Sequence, residues 1–249
     1  MAILQIVVPA YNEETIIFDN LVKINDEVSQ WCNDFRIIVV NDGSADKTLN
    51  ECLRAKEVLE NLVVISYDDN RGKGAALKEG VSAADHTGYI VFLDADLDIS
   101  PDQIKLFLQD ITEKSCDAVI GSKLHKDSIV DYPFSRKVIS YCYYLIVRLL
   151  FGLHVHDTQT GLKMFKAERI KPVMEVILVK KYAFDIEVLA ILNHLGAIIM
   201  EEKVNIVFSR TSPFGRIKLA DIWYMALDTL AVFYRLRILK YYDRKMKLL

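Results

Sequence analysis

The segment YIVFLDADLD, residues 89–98, joins a short apolar run to three carboxylates that follow it directly. The run Tyr89–Leu93 is rich in β-branched and aromatic residues, which is typical of a strand buried on both faces. Asp94 and Asp96 stand two residues apart where the chain leaves that strand. Both can reach one divalent cation, and Asp98 could supply a third carboxylate. The segment therefore predicts a buried strand that ends in a Mg²⁺ or Mn²⁺ site.

Apolar runs of the same kind recur on either side of this strand, and helical stretches separate them. Strands that alternate with helices indicate a mostly parallel sheet covered by helices on both faces. We therefore expect an α/β, Rossmann-like fold. The further strands are predicted at Ile3–Val8, Arg36–Asn41, Leu62–Tyr67 and Asp117–Ile120, and the helices at about 13–30, 46–60, 73–84 and 101–114.

The second half of the chain has longer helical stretches and fewer strands. We expect one α/β domain over residues 1–209, followed by a helical extension over 210–249. The predicted elements are an aromatic helix at about 133–152, a strand at Leu162–Phe165, a helix at about 183–195, a strand at Ala197–Val207 and a last helix at about 217–245.

Composition and charge exclude several classes of protein. Hydrophobic residues make up 52% of the 249 residues, which excludes a disordered chain, and the net charge of −3 does not suggest a nucleic-acid partner. Residues 210–249 carry a net charge of +6, so residues 1–209 carry −9. The four cysteines are widely spaced, which predicts reduced thiols in a cytosolic setting. The N-terminal run lacks a basic segment and is expected to be the first strand.

Polar groups follow the first four predicted strands, and parallel strands bring such groups to one edge of the sheet. Any one of these loops could be an ordinary turn, but four together favour a ligand site. Asp42 is placed where an acid accepts hydrogen bonds from a ribose or a base. Arg71 and Lys73, beside glycines, suit a pyrophosphate. The glycine pattern matches only part of a dinucleotide fingerprint and no Walker A motif is present, which disfavours nicotinamide and ATPase functions.

Seven motifs along the chain resemble those of the family 2 inverting glycosyltransferases, which have the GT-A fold. Within that family, the sequence is most similar to the dolichyl- or polyprenyl-phosphate sugar transferases, particularly the glucosyltransferase branch. The later motifs are the more specific to that branch. The motifs are IVVPAYNEE (6–14), VVNDGSADKT (39–48), NRGKGAALKEG (70–80), LDADLD (93–98), IGSK (120–123), DTQTGLKMF (157–165) and FDIEVL (184–189).

The resemblance implies a nucleotide-sugar donor and gives roles to the residues at the sheet edge. Asp94 and Asp96 would bridge the metal ion to the donor diphosphate. The nucleotide pocket would be lined by Pro9, Tyr11, Glu13 and Asp42.

The resemblance also implies that Lys123 and Arg136 hold the phosphate of the acceptor. Lys123 stands where the family usually has arginine, so it offers a point charge instead of a bidentate fork. The Q-x-x-R-W element of processive polysaccharide synthases is absent from the sequence, which argues against a polymerase.

A phosphate acceptor needs no strong catalytic base. A phosphate monoester has a second pKa near 6, so it is mostly dianionic at neutral pH. The protein then has to hold two anions together and stabilise the departing nucleoside diphosphate. Asp157 is our candidate for orienting the sugar or a phosphate-binding cation. His154 and His156 are an alternative metal pair, which we consider weaker than the carboxylate site.

The aromatic helix and the last helix both mix apolar side chains with Lys and Arg, as helices in a membrane interface do. The apolar segment Val138–Val155 contains Arg148 at its centre, so a surface-lying helix is expected before a buried helix, and a membrane span last. The aromatic side chains could instead belong to the core or to a subunit interface, so a homo-oligomer stays open.

The favoured function is therefore the transfer of a hexose to dolichyl or polyprenyl monophosphate by an enzyme bound peripherally to the cytoplasmic face of a membrane. UDP-glucose is the favoured donor, with GDP-mannose and UDP-N-acetylglucosamine as alternatives. A soluble glycosyltransferase with a saccharide or protein acceptor is a second hypothesis. A non-catalytic sugar-nucleotide sensor or membrane adaptor is a third, which the intact carboxylates disfavour.

Overall fold

The computed structural model describes residues 4–129, 134–179, 183–207 and 219–248, with side chains for all of these except 134–140, 142 and 219–223. Seven strands in this part of the chain form one sheet in the order β3-β2-β1-β4-β6-β5-β7. Strand β6 runs antiparallel to both of its neighbours, and the other pairs are parallel. The strands are β1 Leu4–Ala10, β2 Phe35–Asp42, β3 Leu62–Tyr67, β4 Tyr89–Phe92, β5 Ala118–Ser122, β6 Lys163–Lys166 and β7 Ile199–Lys203.

Helices cover both faces of the sheet, which confirms the predicted α/β fold. A 3₁₀ turn at Pro101–Gln103 leads into α4, and a π-type turn at Tyr234–Ile238 follows α8. The helices are α1 Ile17–Ser29, α2 Thr48–Val58, α3 Lys73–Ala83, α4 Ile104–Glu113, α5 Phe134–Phe151, α6 Ala167–Val176, α7 Phe184–His194, α8 Leu219–Phe233 and α9 Tyr241–Met246.

The central strands are buried on both faces because alternate side chains enter two different cores. Ile6 and Val39 pack with α1, α2 and α4 on one face. Val7 and Val40 pack on the other face with α3 and with α5 to α9. Neither face of these strands meets water, which explains why their sequences are continuous apolar runs with no alternating polar residues.

The sequence predicts one continuous last helix, and this prediction is wrong because the structure has two helices, α8 and α9, with the π-type turn between them. The backbone N–H of Leu239 donates to the carbonyl of Tyr234 at 2.9 Å, which widens the helix by one residue at that turn. Lys240 then has a φ of +48°, in the left-handed region, and α9 starts after it. Leu236 and Tyr242 are buried in the same core as α6 and α7. The division of the chain at residue 209 stays a prediction, and the described end of the chain packs on the preceding domain.

Two other predictions in the second half need correction. Helix α6 has no counterpart among the predicted elements, and it contains Pro172 although proline usually ends a helix. The strand expected at Ala197–Val207 stops at Lys203, and isolated bridges follow at Asn205 and Ile206. Within the described residues no helix is both long and apolar enough to cross a membrane. Cys32, Cys52 and Cys116 are buried free thiols.

Asp117 joins three elements at the far end of the sheet. It accepts hydrogen bonds from the backbone N–H of Ile198 at 2.9 Å and from Arg169 Nε at 3.2 Å, and it pairs with Lys166 Nζ at 3.4 Å. Burial alone would raise the pKa of this carboxyl, but the Ile198 hydrogen bond and the two cations hold it below its usual range. The ionised form is therefore favoured in the folded state.

We expect Asp117→Asn to lower the free energy of unfolding by about 2 kcal/mol at pH 7. A depressed pKa contributes stability that is lost as the pH falls, so the difference from the wild type should narrow below about pH 4.5. Urea unfolding at several pH values measures this, with the exposed Asp34→Asn as the matched control. A difference that stays constant down to pH 3 would contradict the assignment.

Candidate active site at the carboxyl end of the sheet

The loops after β1 and β2 are bound to each other. The backbone N–H of Asn12 donates to Ser44 Oγ at 3.0 Å, and the N–H of Ala45 donates to Asn12 Oδ1 at 2.9 Å. The N–H of Glu13 donates to Thr48 Oγ1 at 2.8 Å, at the start of α2. Asn12 has a φ of +54°, a conformation that asparagine tolerates better than most residues. The motifs at 6–14 and 39–48 therefore form one rigid rim.

Asp42 is buried and orders the loop that follows β3. Its Oδ1 accepts hydrogen bonds from Tyr67 OH at 2.6 Å and from the N–H of Arg71 at 2.8 Å, and its Oδ2 accepts one from the N–H of Gly72 at 2.9 Å. The guanidinium of Arg71 lies 4.3 Å from the centre of the Tyr67 ring. A contact between Asp42 and a nucleotide stays a prediction, and within the chain Asp42 fixes the start of α3.

Lys73 begins α3 and pairs with Asp94 at the end of β4, with 2.5 Å between Nζ and Oδ1. The next residue of α3, Gly74, packs closely against α7 and the segment after α6. A Cβ on Gly74 would lie 2.8 Å from Phe184 Cβ and 2.9 Å from the carbonyl of Val179. The predicted pyrophosphate-binding lysine and the predicted metal-binding carboxylate are therefore neighbours.

The pKa values of Asp94 and Asp96 are shifted in opposite directions. Burial alone would raise the pKa of Asp94, but Lys73, with Lys163 and Lys123 beyond it, holds that pKa below its usual range. Burial and the negative charges of Asp94 and Asp98 raise the pKa of Asp96 to about 6. A cation at this edge would offset the negative charges that help to raise the pKa of Asp96.

The donor set at this edge fits a divalent cation that also binds phosphate. Mg²⁺ is commonly held by one or two carboxylates, while substrate phosphates and water complete its coordination. Asp94 and Asp96 supply two such carboxylates. Across the described ranges, no three His, Cys, Asp or Glu side chains form a group that could hold a metal ion alone. The assignment of Asp98 as a third ligand stays a prediction.

A glycine of the DTQTGLKMF motif lies against the carboxylate of Asp94. A Cβ on Gly161 would lie 2.4 Å from Asp94 Oδ2. Residue 161 is therefore required to lack a side chain if Asp94 is to keep its position. The motif at 157–165 and the motif at 93–98 meet at this contact.

Asp157 contacts Lys123, one of the two cations that the resemblance places at the acceptor phosphate. Asp157 Oδ2 accepts a hydrogen bond from the backbone N–H of Lys123 at 2.9 Å, and Lys123 Nζ lies 3.5 Å from the same oxygen. The N–H of Gln159 donates to Asp157 Oδ1 at 3.0 Å. Burial would raise the pKa of Asp157, but Lys123 and the hydrogen bonds lower it. Asp157 is thus an ionised, immobilised carboxylate.

Sequence reasoning missed a buried ion pair behind this site. Lys163 Nζ lies 2.7 Å from Asp185 Oδ1 and also donates to the carbonyl of Thr160. Lys163 comes from the DTQTGLKMF motif and Asp185 from FDIEVL. Both motifs are among those that carry the family resemblance. A charged residue within an otherwise apolar segment is the sequence feature that could have indicated the ion pair.

Glu201 was also missed, although it holds the loop that carries Asp157. It accepts hydrogen bonds from the backbone N–H groups of His156 at 2.7 Å and Asp157 at 3.0 Å. His156 Nδ1 lies 2.6 Å from the same carboxylate, and its ring stacks on Tyr144 at 4.7 Å. His156 therefore supports the loop through Glu201.

Three other predicted site residues lie at or just after the end of β1. Pro9 lies in β1 opposite Val40 of β2, and Tyr11 is exposed where the chain leaves β1. Glu13 lies on the rim, next to α2. The side chain of Arg136 lies outside the described residues, as does that of Lys137. The nucleotide-binding and acceptor-binding roles of these residues stay predictions.

The seven-stranded sheet with helices on both faces agrees with the GT-A fold that the sequence motifs imply. The family model of Glycosyl transferase family 2 matches residues 5–172, more than half of the chain. The chain belongs to this family and is a glycosyltransferase.

Curated relatives narrow the similarity. A dolichyl-phosphate beta-glucosyltransferase from Dictyostelium discoideum is 30% identical over 231 residues, which cover 85% of this chain and 69% of the relative. Another dolichyl-phosphate beta-glucosyltransferase, from Trichomonas vaginalis, is 31% identical and covers 97% of this chain and 77% of its own length. A UDP-N-acetylglucosamine–dolichyl-phosphate N-acetylglucosaminyltransferase from Methanococcus voltae is 27% identical, covering 84% of this chain and 88% of the relative.

Solved structures support the fold. Glucosyl-3-phosphoglycerate synthase from Mycobacterium tuberculosis, in complex with Mn²⁺, UDP and glucosyl-3-phosphoglycerate, matches with a TM-score of 0.68 and 20% identity, covering 94% of this chain and 79% of that one. The same enzyme has been crystallised with Mg²⁺ and UDP, with a TM-score of 0.66 and 19% identity over 94% of this chain and 78% of that one. Glucosyl-3-phosphoglycerate synthase, which shares this fold, therefore has crystal structures with a divalent cation and UDP.

We expect Gly161→Ala to weaken Mn²⁺ binding at least about tenfold, because the new methyl group would displace the Asp94 carboxylate and a loss of 1.4 kcal/mol corresponds to that factor. Electron paramagnetic resonance of Mn²⁺ at a fixed UDP concentration measures the affinity.

Gly196→Ala is the matched control. Gly196 has a φ of +77° and open space around its Cβ position, so alanine there should lower stability without changing Mn²⁺ affinity. Equal Mn²⁺ affinity in Gly161→Ala and the wild type would exclude Asp94 as a ligand.

Proposed function

We propose that this glycosyltransferase moves a hexose, with UDP-glucose as the favoured donor, to dolichyl or polyprenyl monophosphate. The observation that carries the proposal is the charge arrangement at the sheet edge. Lys73, Lys123 and Lys163 all act on Asp94, so three cations and the Asp94–Asp96 carboxylates share one small region. Such a region suits two phosphate-bearing substrates and a cation, and the names of the relatives at about 30% identity agree with it.

At the donor end, Asp94 and Asp96 would hold Mg²⁺ or Mn²⁺, with Asp98 as a further candidate. When bound, the cation neutralises the charge that develops on the leaving diphosphate. Lys73 would contact that diphosphate from the start of α3, and Arg71 lies two residues before it. Pro9, Tyr11, Glu13 and Asp42 would line the nucleotide pocket, on a rim that is rigid before substrate arrives.

At the acceptor end, Lys123 and Arg136 would hold the lipid phosphate. Lys123 is partly exposed, and its backbone is fixed by Asp157. A point charge in a fixed place suits a monophosphate whose oxygens can rotate about the ester bond.

The state of Asp157 supports a mechanism without a general base. Its pKa is lowered and its oxygens accept two backbone N–H groups, which makes it a weak proton acceptor. A phosphate dianion needs no deprotonation before it attacks the anomeric carbon. Attack opposite the leaving diphosphate would invert the configuration of the sugar. Asp157 then serves to position Lys123 and the substrates.

Apolar side chains stand exposed on α5 and on the segment from α8 to the π-type turn. Leu149 is 85% exposed, and Tyr141, Leu145, Tyr224, Leu227, Leu230, Tyr234 and Ile238 are exposed as well. The two helices contact each other through the Tyr143 and Thr229 hydroxyls at 3.2 Å and through the rings of Phe151 and Phe233. We propose that this apolar face rests on the cytoplasmic surface of a membrane, where the lipid acceptor would be.

Exposed basic side chains near the C-terminus support the same orientation. Arg237, Lys240, Arg244, Lys245 and Lys247 are exposed and could meet anionic lipid head groups. Arg235 is not part of this cluster, because its guanidinium is turned to the buried Glu187. A peripheral attachment agrees with these features.

A transfer assay tests the proposed function. Purified protein with radiolabelled UDP-glucose and dolichyl phosphate should give a labelled product that enters organic solvent, and the product should require Mg²⁺ or Mn²⁺. Asp96→Ala should retain the fold and lose at least about 100-fold in rate, because it removes a group that stabilises charge through the cation. Asp102→Ala, at an exposed acid after β4, is the matched control.

Full activity of Asp96→Ala in the presence of EDTA would contradict the metal assignment. Labelled lipid from UDP-N-acetylglucosamine or GDP-mannose, but not from UDP-glucose, would change the donor and keep the acceptor. Transfer only to water-soluble acceptors would favour the soluble-transferase hypothesis.

Liposome co-sedimentation tests the proposed membrane face. Leu149→Glu with Leu230→Glu should reduce binding to anionic liposomes at least about tenfold, because each leucine is worth about 1.5 kcal/mol or more when buried. Leu53→Glu with Val58→Glu, at exposed apolar positions of α2 on the opposite face, is the matched control. Salt should weaken the binding of the wild type without abolishing it. No binding by the wild type, together with a dimer in solution that the Leu149 and Leu230 changes dissociate, would make this face a subunit interface.

A further inference from the structure

Glu187 is a fully buried acid of α7 that the reaction described above does not use. Its Oε2 accepts hydrogen bonds from the backbone N–H groups of Leu178 at 3.0 Å and Val179 at 2.7 Å. Its Oε1 accepts one from the hydroxyl of Tyr242 and lies 3.4 Å from Arg235 Nη2. A buried carboxylate is costly unless its oxygens are satisfied, and here both oxygens have partners.

The partners of Oε2 belong to the segment that supports the donor edge. Val179 follows α6, and its carbonyl lies 2.9 Å from the place where a Cβ on Gly74 would stand. Gly74 directly follows Lys73, whose ammonium pairs with Asp94. The hydrogen bonds from Leu178 and Val179 therefore fix the surface on which the first turn of α3 rests.

The partners of Oε1 belong to the C-terminal helices. Arg235 lies in the π-type turn after α8, and Tyr242 lies in α9. Arg235 Nε donates to the hydroxyl of Tyr242 at 3.0 Å, so the two residues approach Glu187 as a unit. Tyr234 and Ile238, in the same turn, belong to the exposed apolar face.

Helix α7 carries two acids, Asp185 and Glu187, that are two positions apart and contact different regions. Asp185 pairs with Lys163, whose charge acts on Asp94, whereas Glu187 contacts the C-terminal helices and the segment beside Gly74. Residues two apart on a helix point in nearly opposite directions, so one rigid element connects the two regions.

We propose that Glu187 is a positioning residue that ties the placement of the C-terminal helices to the placement of Lys73 at the donor edge. This rests on the proposed function, since it assumes that the edge binds a nucleotide diphosphate. Glutamine is a poor replacement for Glu187 here. It has one acceptor oxygen, so its NH₂ group would face either the backbone N–H groups of Leu178 and Val179 or the guanidinium of Arg235, which can only donate.

Three variants test this role. In Glu187→Gln we expect the amide protons of Leu178 and Val179 to exchange with solvent at least about tenfold faster, and UDP with Mn²⁺ to bind about tenfold more weakly. The hydroxyl of Tyr242 does not contact the donor edge, so Tyr242→Phe should also weaken UDP binding, but by a smaller factor. Tyr241→Phe removes a hydroxyl from the neighbouring residue, which has no contact with Glu187, and should leave UDP affinity unchanged.

Calorimetric titration of UDP and hydrogen exchange are the measurements, and steady-state kinetics should show a higher donor KM with a smaller change in kcat. Lower thermal stability with unchanged UDP affinity and donor KM, in both Glu187→Gln and Tyr242→Phe, would make Glu187 purely structural and overturn the proposal. If Glu187→Gln does not fold, Tyr242→Phe decides, because it leaves Glu187 and Arg235 paired. If these variants weaken UDP binding as predicted but the protein transfers no sugar to a lipid phosphate, the role of Glu187 is sustained and only the proposed acceptor is refuted.

Discussion

The ion pair between Lys73 and Asp94 is the contact on which the arrangement of the sheet edge depends. It forms where α3 begins and β4 ends, so it joins the third and fourth loops of the site. Two glycines make it possible, since Gly74 lets α3 approach Phe184 and Gly161 leaves room for the Asp94 carboxylate. Asp42, bound to the backbone of Arg71 and Gly72, fixes the chain just before Lys73. The placement of these groups before substrate arrives means that little reorganisation is needed when a diphosphate binds.

The sequence allowed the sheet and its active edge to be predicted because both depend on local patterns. Continuous apolar runs such as Tyr89–Leu93 identify strands that are buried on both faces, and the polar residues after them must then share one edge. Asp94, Asp96, Asp157 and Lys123 were found in this way or through the family motifs, and the structure brings Asp157 and Lys123 together.

The parts that escaped prediction depend on contacts between distant segments. Lys163 and Asp185 are 22 positions apart, and Glu187 meets Tyr242 across 55 positions. No periodicity in the sequence indicates which buried acid faces which base. The break at Lys240 also escaped prediction, because its left-handed φ is not signalled by a glycine.

The central claim is that the β4 edge, where Asp94 and Lys73 form an ion pair, binds a divalent cation and a nucleoside diphosphate as one unit. Calorimetric titration of UDP with and without Mn²⁺, into the wild type and into Asp94→Asn, tests this most directly. We predict that Mn²⁺ strengthens UDP binding to the wild type at least about tenfold and has little effect on Asp94→Asn. UDP binding that is equally strong with and without Mn²⁺, or a full Mn²⁺ effect in Asp94→Asn, would contradict the account.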